Sequence, residues 1–398
     1  MSQALTSRQR LIRALHCQEV DHVPCAFMSF SAMRGRCQDA YEVALRELEM
    51  GLDSMLFIPS SWRNERPNHP DLRGLPVRLP PTVRVDLWVE ELPGESFPIL
   101  HKEYHTPAGT LTTQVRKTED WPYGNAVPFM GDYQIPRAVK PLITNEADVH
   151  VLQTILQPPT PEEIAAFRAE RARAGAFSDQ YGVLLAGGWG VGADMVGWLC
   201  GLDNMMYLMI DQPALLAELL ATIAAWNRQR MRVILEAGVD LFIRRAWYES
   251  ADFWSPRLYR EFLLPTLQEE VKLAHEYDTP FGYIMTSSAL PMLDNIREAG
   301  VDVLIGVDPL QHGDDPLQVM HDKLGGRVCL WGGVNGAITV EQGSADEVRQ
   351  AVIYALDLMR DVNGFILSPV DNITEITRRA WQNVDVFVET WKAHRGGV

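Results

Sequence analysis

The chain has 398 residues, 46% of them apolar, and its 36 basic against 52 acidic residues leave a formal charge of −16. A large core is therefore available, a nucleic-acid-binding surface is argued against, and any anionic ligand needs a local basic site in a soluble, self-repelling protein. Cys17, Cys25, Cys37, Cys200 and Cys329 are scattered, odd in number and never in CxxC spacing, which fits a reducing compartment and gives no metal motif.

In chain order, the opening MSQALTSRQRLIRAL has no h-region, and no apolar run reaches ~18 residues. Neither secretion nor a membrane span is expected, and the cytoplasm is the expected compartment. Residues 6–15 read as a helix capped by Thr6 or Ser7, with Leu11, Ile12 and Leu15 on one stripe. VPCAFM (23–28) is a first buried strand, 40–49 a helix and DSMLFI (53–58) a second strand. From about 64 to 145 the rhythm breaks into a proline-rich insertion holding EYHTPAGTLTTQVR (103–116), a hairpin turning at Pro-Ala-Gly. So long an irregular segment usually covers a site or makes a subunit contact.

The alternation then resumes. Helices are expected at 160–172, 202–209, 213–237, 255–277, 290–299, 315–324, 345–360 and 375–393, with strands at 182–190, 238–247, 279–285, 302–307, 327–332 and 364–368. Eight apolar runs alternating with helices from the third onward point to an α/β fold, a (β/α)8 TIM barrel in one domain over 1–398, with the insertion between the second and third strands. A doubly wound open sheet is the runner-up.

In such a barrel, chemistry sits just past each strand. After the fourth come Arg244, Arg245, Tyr248 and Glu249. Two arginines ending an apolar run need an anionic partner, either a ligand or an internal acid such as Glu249 or Asp252. Glu249 is a candidate general acid or base, against a solvated loop acid. After the fifth stand Tyr283, Met285 and Thr286, a phenol that can donate a proton or simply pack, and a thioether wall. Asp308 and His312 follow the sixth. Trp331-Gly332-Gly333 and Asn335 end the seventh, where glycine allows a close backbone approach, and Asp371 and Asn372 end the eighth. GGWGVG (187–192), with Trp189, lacks the spacing and Lys-Ser/Thr of a nucleotide loop. No nucleophile elbow or defensible metal spacing is present.

Several stretches in this order resemble the uroporphyrinogen decarboxylase superfamily, in its methyltransferase and demethylase-like branch: RLIRALHCQEVDHVP, EYHTPAGTL, SPRLYREFLLP, EAGVDVLIGVDPL, VCLWGGVNG followed by GSADEVRQAV, and GFILSPVDNI. That branch places a His and a Cys two residues apart after the fifth strand and a third zinc ligand near the eighth. Here those places read Tyr283, Met285 and Val370-Asp371, so zinc is not expected. The acidic pair that often follows the fourth strand in demethylase-like relatives reads Arg245-Ala246. Where the decarboxylases carry an MRQAGRY-like motif, FMSFSAMRGRCQDAY retains Arg34 and Arg36.

The resemblance implies an enzyme of one-carbon metabolism that moves a methyl group from a small methoxylated or methylated, carboxylate-bearing substrate to a corrinoid protein or tetrahydrofolate. No tightly bound cofactor is expected. Tyr283, Glu249 and Asp371 would handle protons. Arg34, Arg36, Trp189, Arg244, Arg245, Tyr248, Met285, Asp308, Trp331, Asn335 and Asn372 would hold substrate. The family's habit implies a homodimer. A metal-independent uroporphyrinogen-type decarboxylase and a non-catalytic partner subunit are the alternatives.

Overall fold

The computed structural model describes residues 5–59, 79–131 and 134–396, so residues 64–78 and 132–133 of the expected insertion lie outside the described residues. Seven parallel strands form one curled sheet. They are β1 (Met55–Ile58), β6 (Leu184–Gly190), β7 (Leu241–Arg245), β8 (Phe281–Ile284), β9 (Val303–Val307), β10 (Cys329–Asn335) and β11 (Phe365–Val370), paired in that order. In the chain between β1 and β6, an antiparallel sheet is built by β2 (Arg84–Glu90), β3 (Ile99–Thr106), β4 (Gly109–Arg116) and β5 (Ala138–Lys140). The expected hairpin is β3–β4, closed at Pro107-Ala108 by the Thr106 hydroxyl, which accepts from Ala108 N–H at 3.1 Å and donates to Gly109 O at 2.9 Å.

The expected first strand is reduced to a single bridge, Cys25 to Leu367 of β11. Leu367 N–H donates to Pro24 O at 2.9 Å, and Asp53 N–H, at the start of β1, donates to Cys25 O at 2.7 Å. This segment thus meets both edge strands. It forms no ladder on the β1 side because Pro24 has no N–H to give and the Cys25 N–H is taken by the Asp53 carboxylate at 3.0 Å. The expected helix 255–277 is two, Pro256–Phe262 and Leu264–His275, since Pro265 cannot continue the N–H ladder of the first. The helix expected at 160–172 runs from Pro161 to Tyr181, with a Thr160/Glu163 capping box and Gly182 ending it in the left-handed region.

Both faces of the parallel sheet are apolar, and they pack against different things. Leu184, Ala186, Leu241, Ile243, Ile284, Ile305, Trp331 and Ile366 fill the inside of the curl. Leu11, Ala14 and Leu15 of the helix Ser7–Leu15 join that cluster, so this helix plugs the end where the strands begin. It is tied there by Arg10, whose guanidinium donates to Asp21 and Asp53, each at 2.6 Å, and by Arg8, which donates to Asp240 at 2.8 Å. Phe242, Phe281, Tyr283, Met285, Leu304, Leu330 and Phe365 face the other way, into the helical layer. With one end plugged, the open end is where the strands finish.

Candidate active site

Two neighbouring arginines on β7 go to opposite faces, because strand side chains alternate. Arg244 points into the helical layer, 1% exposed, between two buried carboxylates. Its Nη2 donates to Glu249 at 2.6 Å and its Nη1 to Glu270 at 2.9 Å. Glu249 Oε1 also accepts the Ala193 N–H at 2.7 Å, where it caps the helix Ala193–Cys200, and Oε2 accepts from the Tyr283 hydroxyl. Tyr283 in turn meets the Tyr259 hydroxyl at 2.9 Å. Asn227 completes the group, donating to Glu270 at 2.7 Å and accepting the Val191 N–H at 3.2 Å. Burial first, and Glu249's charge next, push the Tyr283 phenol well above its ordinary value, while the two carboxylates hold Arg244 protonated against burial.

The structure therefore places Tyr283, Met285, Arg244 and Glu249, all expected at the ligand, behind the sheet and sealed from solvent. Two-residue spacing put Tyr283 and Met285 on one side, but did not say which side. Glu270, Asn227 and Tyr259 were missed; the only signal was a Glu on the apolar side of a helix.

Arg245 goes to the inner face, two residues on from Ile243. Its Nη1 donates to the Gly131 carbonyl at 2.9 Å, and its Nε lies 3.5 Å from Asp194. Nη2 has no acceptor among the described residues. Burial pushes the Asp194 carboxyl up to about 6 against the pull of Arg245, and Asp194 also accepts the Tyr248 N–H at 2.9 Å. Trp247 lies under Arg245, 5.9 Å from ring centroid to guanidinium carbon, and beside it stand Trp189 and Phe57. Trp331 lies deeper, anchored by its indole N–H to Ala26 O at 2.8 Å. Asp194, Trp247 and Phe57 were not anticipated, although Phe57 alternates correctly for the inner face.

Carboxylates gather after β9 and β11. Asp308 accepts from Leu310 N–H at 2.9 Å and from Asn335 at 2.8 Å, and burial pushes its carboxyl up. Asp371, directly after β11, holds φ +71°, a conformation unusual for a non-glycine residue. Burial first, then the charges of Asp308 and Glu341, push its carboxyl up as well. Asn372 joins this loop to the helix Ser31–Arg34, donating to the Ser31 hydroxyl at 2.8 Å and accepting the Ser31 N–H at 3.0 Å. Arg34 ends that helix, whereas Arg36 is exposed and stacked 3.5 Å over Trp381.

The donors at the positions assigned to zinc by resemblance do not suit that ion: a phenol and a thioether turned into the helical layer, and one carboxylate beyond β11. Among the described residues, one group of metal-ligand type brings its atoms together, Asp86, Glu103 and His105, and it belongs to the antiparallel sheet.

The profile of the family described as "Uroporphyrinogen decarboxylase (URO-D)" matches residues 122–394. Among solved structures, a methyltransferase from Methanosarcina mazei superposes with a TM-score of 0.59 at 18% identity, covering 98% of this chain and 99% of that one. A B12-independent methionine synthase from Shewanella sp. W3-18-1 reaches 0.38 at 11% identity, over 56% of this chain and 65% of its own. No curated protein matches by sequence.

Proposed function

The chain belongs to the uroporphyrinogen decarboxylase family, and from that premise we propose that it is a methyltransferase-like enzyme, moving a methyl group from a small carboxylate-bearing donor to a corrinoid protein or a tetrahydrofolate. The observation that carries this is Arg245, a guanidinium buried at the open end of the lumen whose Nε and Nη2 have no hydrogen-bond acceptor among the described residues. A substrate carboxylate on that nitrogen forms a charge-assisted hydrogen bond in a dry site. Gly131 O and Asp194 fix the guanidinium, so little is lost in ordering it.

For a methoxylated donor, the O–CH3 electron pair stays on oxygen and a proton must reach it. Asp371, at the rim and with its carboxyl pushed up by burial first and then by Asp308 and Glu341, is the group we assign to that proton transfer. Trp189, Trp247 and Phe57 exclude water around the methyl group. The buried Arg244–Glu249–Tyr283 group touches none of this directly; it holds the helix Ala193–Cys200, and with it Asp194, in place.

The test is incubation of the protein with methylated and methoxylated carboxylates and either cob(I)alamin or tetrahydrofolate, with methyl transfer followed by mass spectrometry. Transfer is expected. Conversion of uroporphyrinogen to coproporphyrinogen without methyl transfer would replace this reading by the decarboxylase one. Neither activity would favour the partner-subunit reading.

A further inference from the structure

The antiparallel sheet ends in two edges that are built differently. β5 is three residues long, ends on Lys140 and meets β4 with a shift of register between Gln114 and Val115. A short, irregular strand carrying a lysine is the usual protection of an edge against further pairing. β2 has none of these features. It runs for seven residues, Arg84-Val85-Asp86-Leu87-Trp88-Val89-Glu90, in unbroken register with β3 and without lysine or proline, and no strand lies on its other side among the described residues. Every second residue of such a strand turns its N–H and C=O away from the neighbour it already has. Trp88, Val89 and, just beyond the strand, Leu92 are exposed. The two edges of the parallel sheet are instead joined by the segment at Pro24 and Cys25.

The order of residues along β2 says what pairs with it. Side chains at 84, 86, 88 and 90 share one face, where Arg84 lies 3.1 Å from Asp86, Asp86 3.0 Å from His105 and Glu90 3.0 Å from His101. Residues opposite one another in an antiparallel ladder share a face, so a twofold axis relating two copies of β2 falls on a residue, not between residues. Turned about Leu87, the strand meets itself with Arg84 opposite Glu90 at both ends, Val85 opposite Val89 and Leu87 opposite Leu87. Turned about Asp86 it sets that carboxylate against itself, and turned about Trp88 it sets Asp86 against Glu90. Opposite charges facing each other stabilise a ladder and like charges destabilise it, so the charges select the Leu87 register. That register also uses the whole strand.

We propose that β2 is the seam of a homodimer, pairing with β2 of a second copy about Leu87 so that two antiparallel sheets become one. A twofold seam makes each charge contact twice, Arg84 with the partner's Glu90 and Glu90 with the partner's Arg84. The seam lies on the sheet whose β4–β5 connection carries the Gly131 carbonyl on Arg245, so pairing braces that connection. It does not depend on the methyl-transfer reading. One strand pair with a few apolar contacts is a small interface, and a dissociation constant on the order of a micromolar is expected.

The test is sedimentation velocity of the full chain over a concentration series, with circular dichroism to confirm folding. Arg84→Glu and Glu90→Arg are each expected to weaken self-association about tenfold or more, because each sets like charges opposite one another at both ends of the seam. Mixed in equal amounts, the two variants should return to within about threefold of wild-type affinity, since opposite charges face each other again in the mixed dimer. The double variant should do the same. Folded single variants that associate as the wild type does place the interface elsewhere and overturn the proposal. A wild-type chain that stays monomeric up to about 100 μM also overturns it. A mixture no tighter than its two components overturns the Leu87 register, and the proposal with it.

Discussion

Arg244 and Arg245 carry the residue-scale lesson, because one peptide bond separates a structural cation from a ligand-binding one. Removing the charge of Glu249 leaves Arg244 only Glu270 in a sealed site, and breaking such a pair costs about 3–5 kcal/mol. Glu249→Gln is therefore expected to lower the urea midpoint strongly. Tyr283→Phe, which loses one hydroxyl, should cost about 1–3 kcal/mol. Equal effects, or none, would show that the buried group is not what ties these elements. Lys102 gives a second prediction. It is fully buried, its ammonium donates to the Val127 carbonyl and lies 5.0 Å over the Tyr104 ring, and burial pulls it down from 10.5 to about 7. Between pH 7 and 10.5 the unfolded chain holds a proton that the folded chain has released, so stability rises with pH across that window. Lys102→Met should raise the melting temperature most below pH 7 and flatten the pH dependence above it. Thermal melts at pH 6 and 9 check this, and an unchanged slope would contradict it. The sequence put Tyr283 and Met285 on one side correctly but could not say which. Both faces of a parallel sheet are buried and apolar, so polarity gives no inside or outside. The two arginines were legible as costly to bury; their separate fates were not.

At the scale of elements, the strand-and-helix alternation was readable because every buried strand is a short apolar run and many helices begin on a side-chain cap, such as Thr6, Thr160 or Ser344. Departures arose where a local bond outbid the pattern. Asp53 takes the Cys25 N–H and leaves a bridge where a strand was expected, and Pro265 divides a helix that periodicity joins. In the β6–β7 ladder Gly188 pairs with Ile243 and Gly190 with Arg244, so Trp189 is an extra residue, a bulge. It was invisible as such, although its price in glycines was written in GGWGVG. Gly188→Ala tests that element. With Ile243 O only 2.5 Å from the new Cβ, at a φ that disfavours any side chain, the strand must shift and the Trp189 ring with it. A loss of several kcal/mol is expected in urea unfolding, with altered tryptophan fluorescence. A wild-type midpoint and spectrum would mean the bulge does not impose the Trp189 position.

At the scale of the whole molecule, a plugged end and an open end divide the labour. The helix Ser7–Leu15 and its arginine–aspartate ties close one, while the other collects Arg245, the Phe57, Trp189 and Trp247 rings, Asp308 and Asp371 from elements far apart in sequence. The segment ahead of β5 contributes too: Gly131 O orients Arg245, and the same segment carries the Val127 carbonyl that holds Lys102. Among the described residues no helix is long and apolar enough to cross a membrane. The division between a working rim and a sealed network is tested most directly by the kinetics of methyl transfer in two variants of the full chain. Arg245→Gln is expected to raise KM for a carboxylated methyl donor on the order of 10–100-fold, and Tyr283→Phe to keep kcat/KM within about threefold of wild type. A Tyr283→Phe enzyme that folds but loses turnover, beside an Arg245→Gln enzyme with unchanged KM, would contradict it.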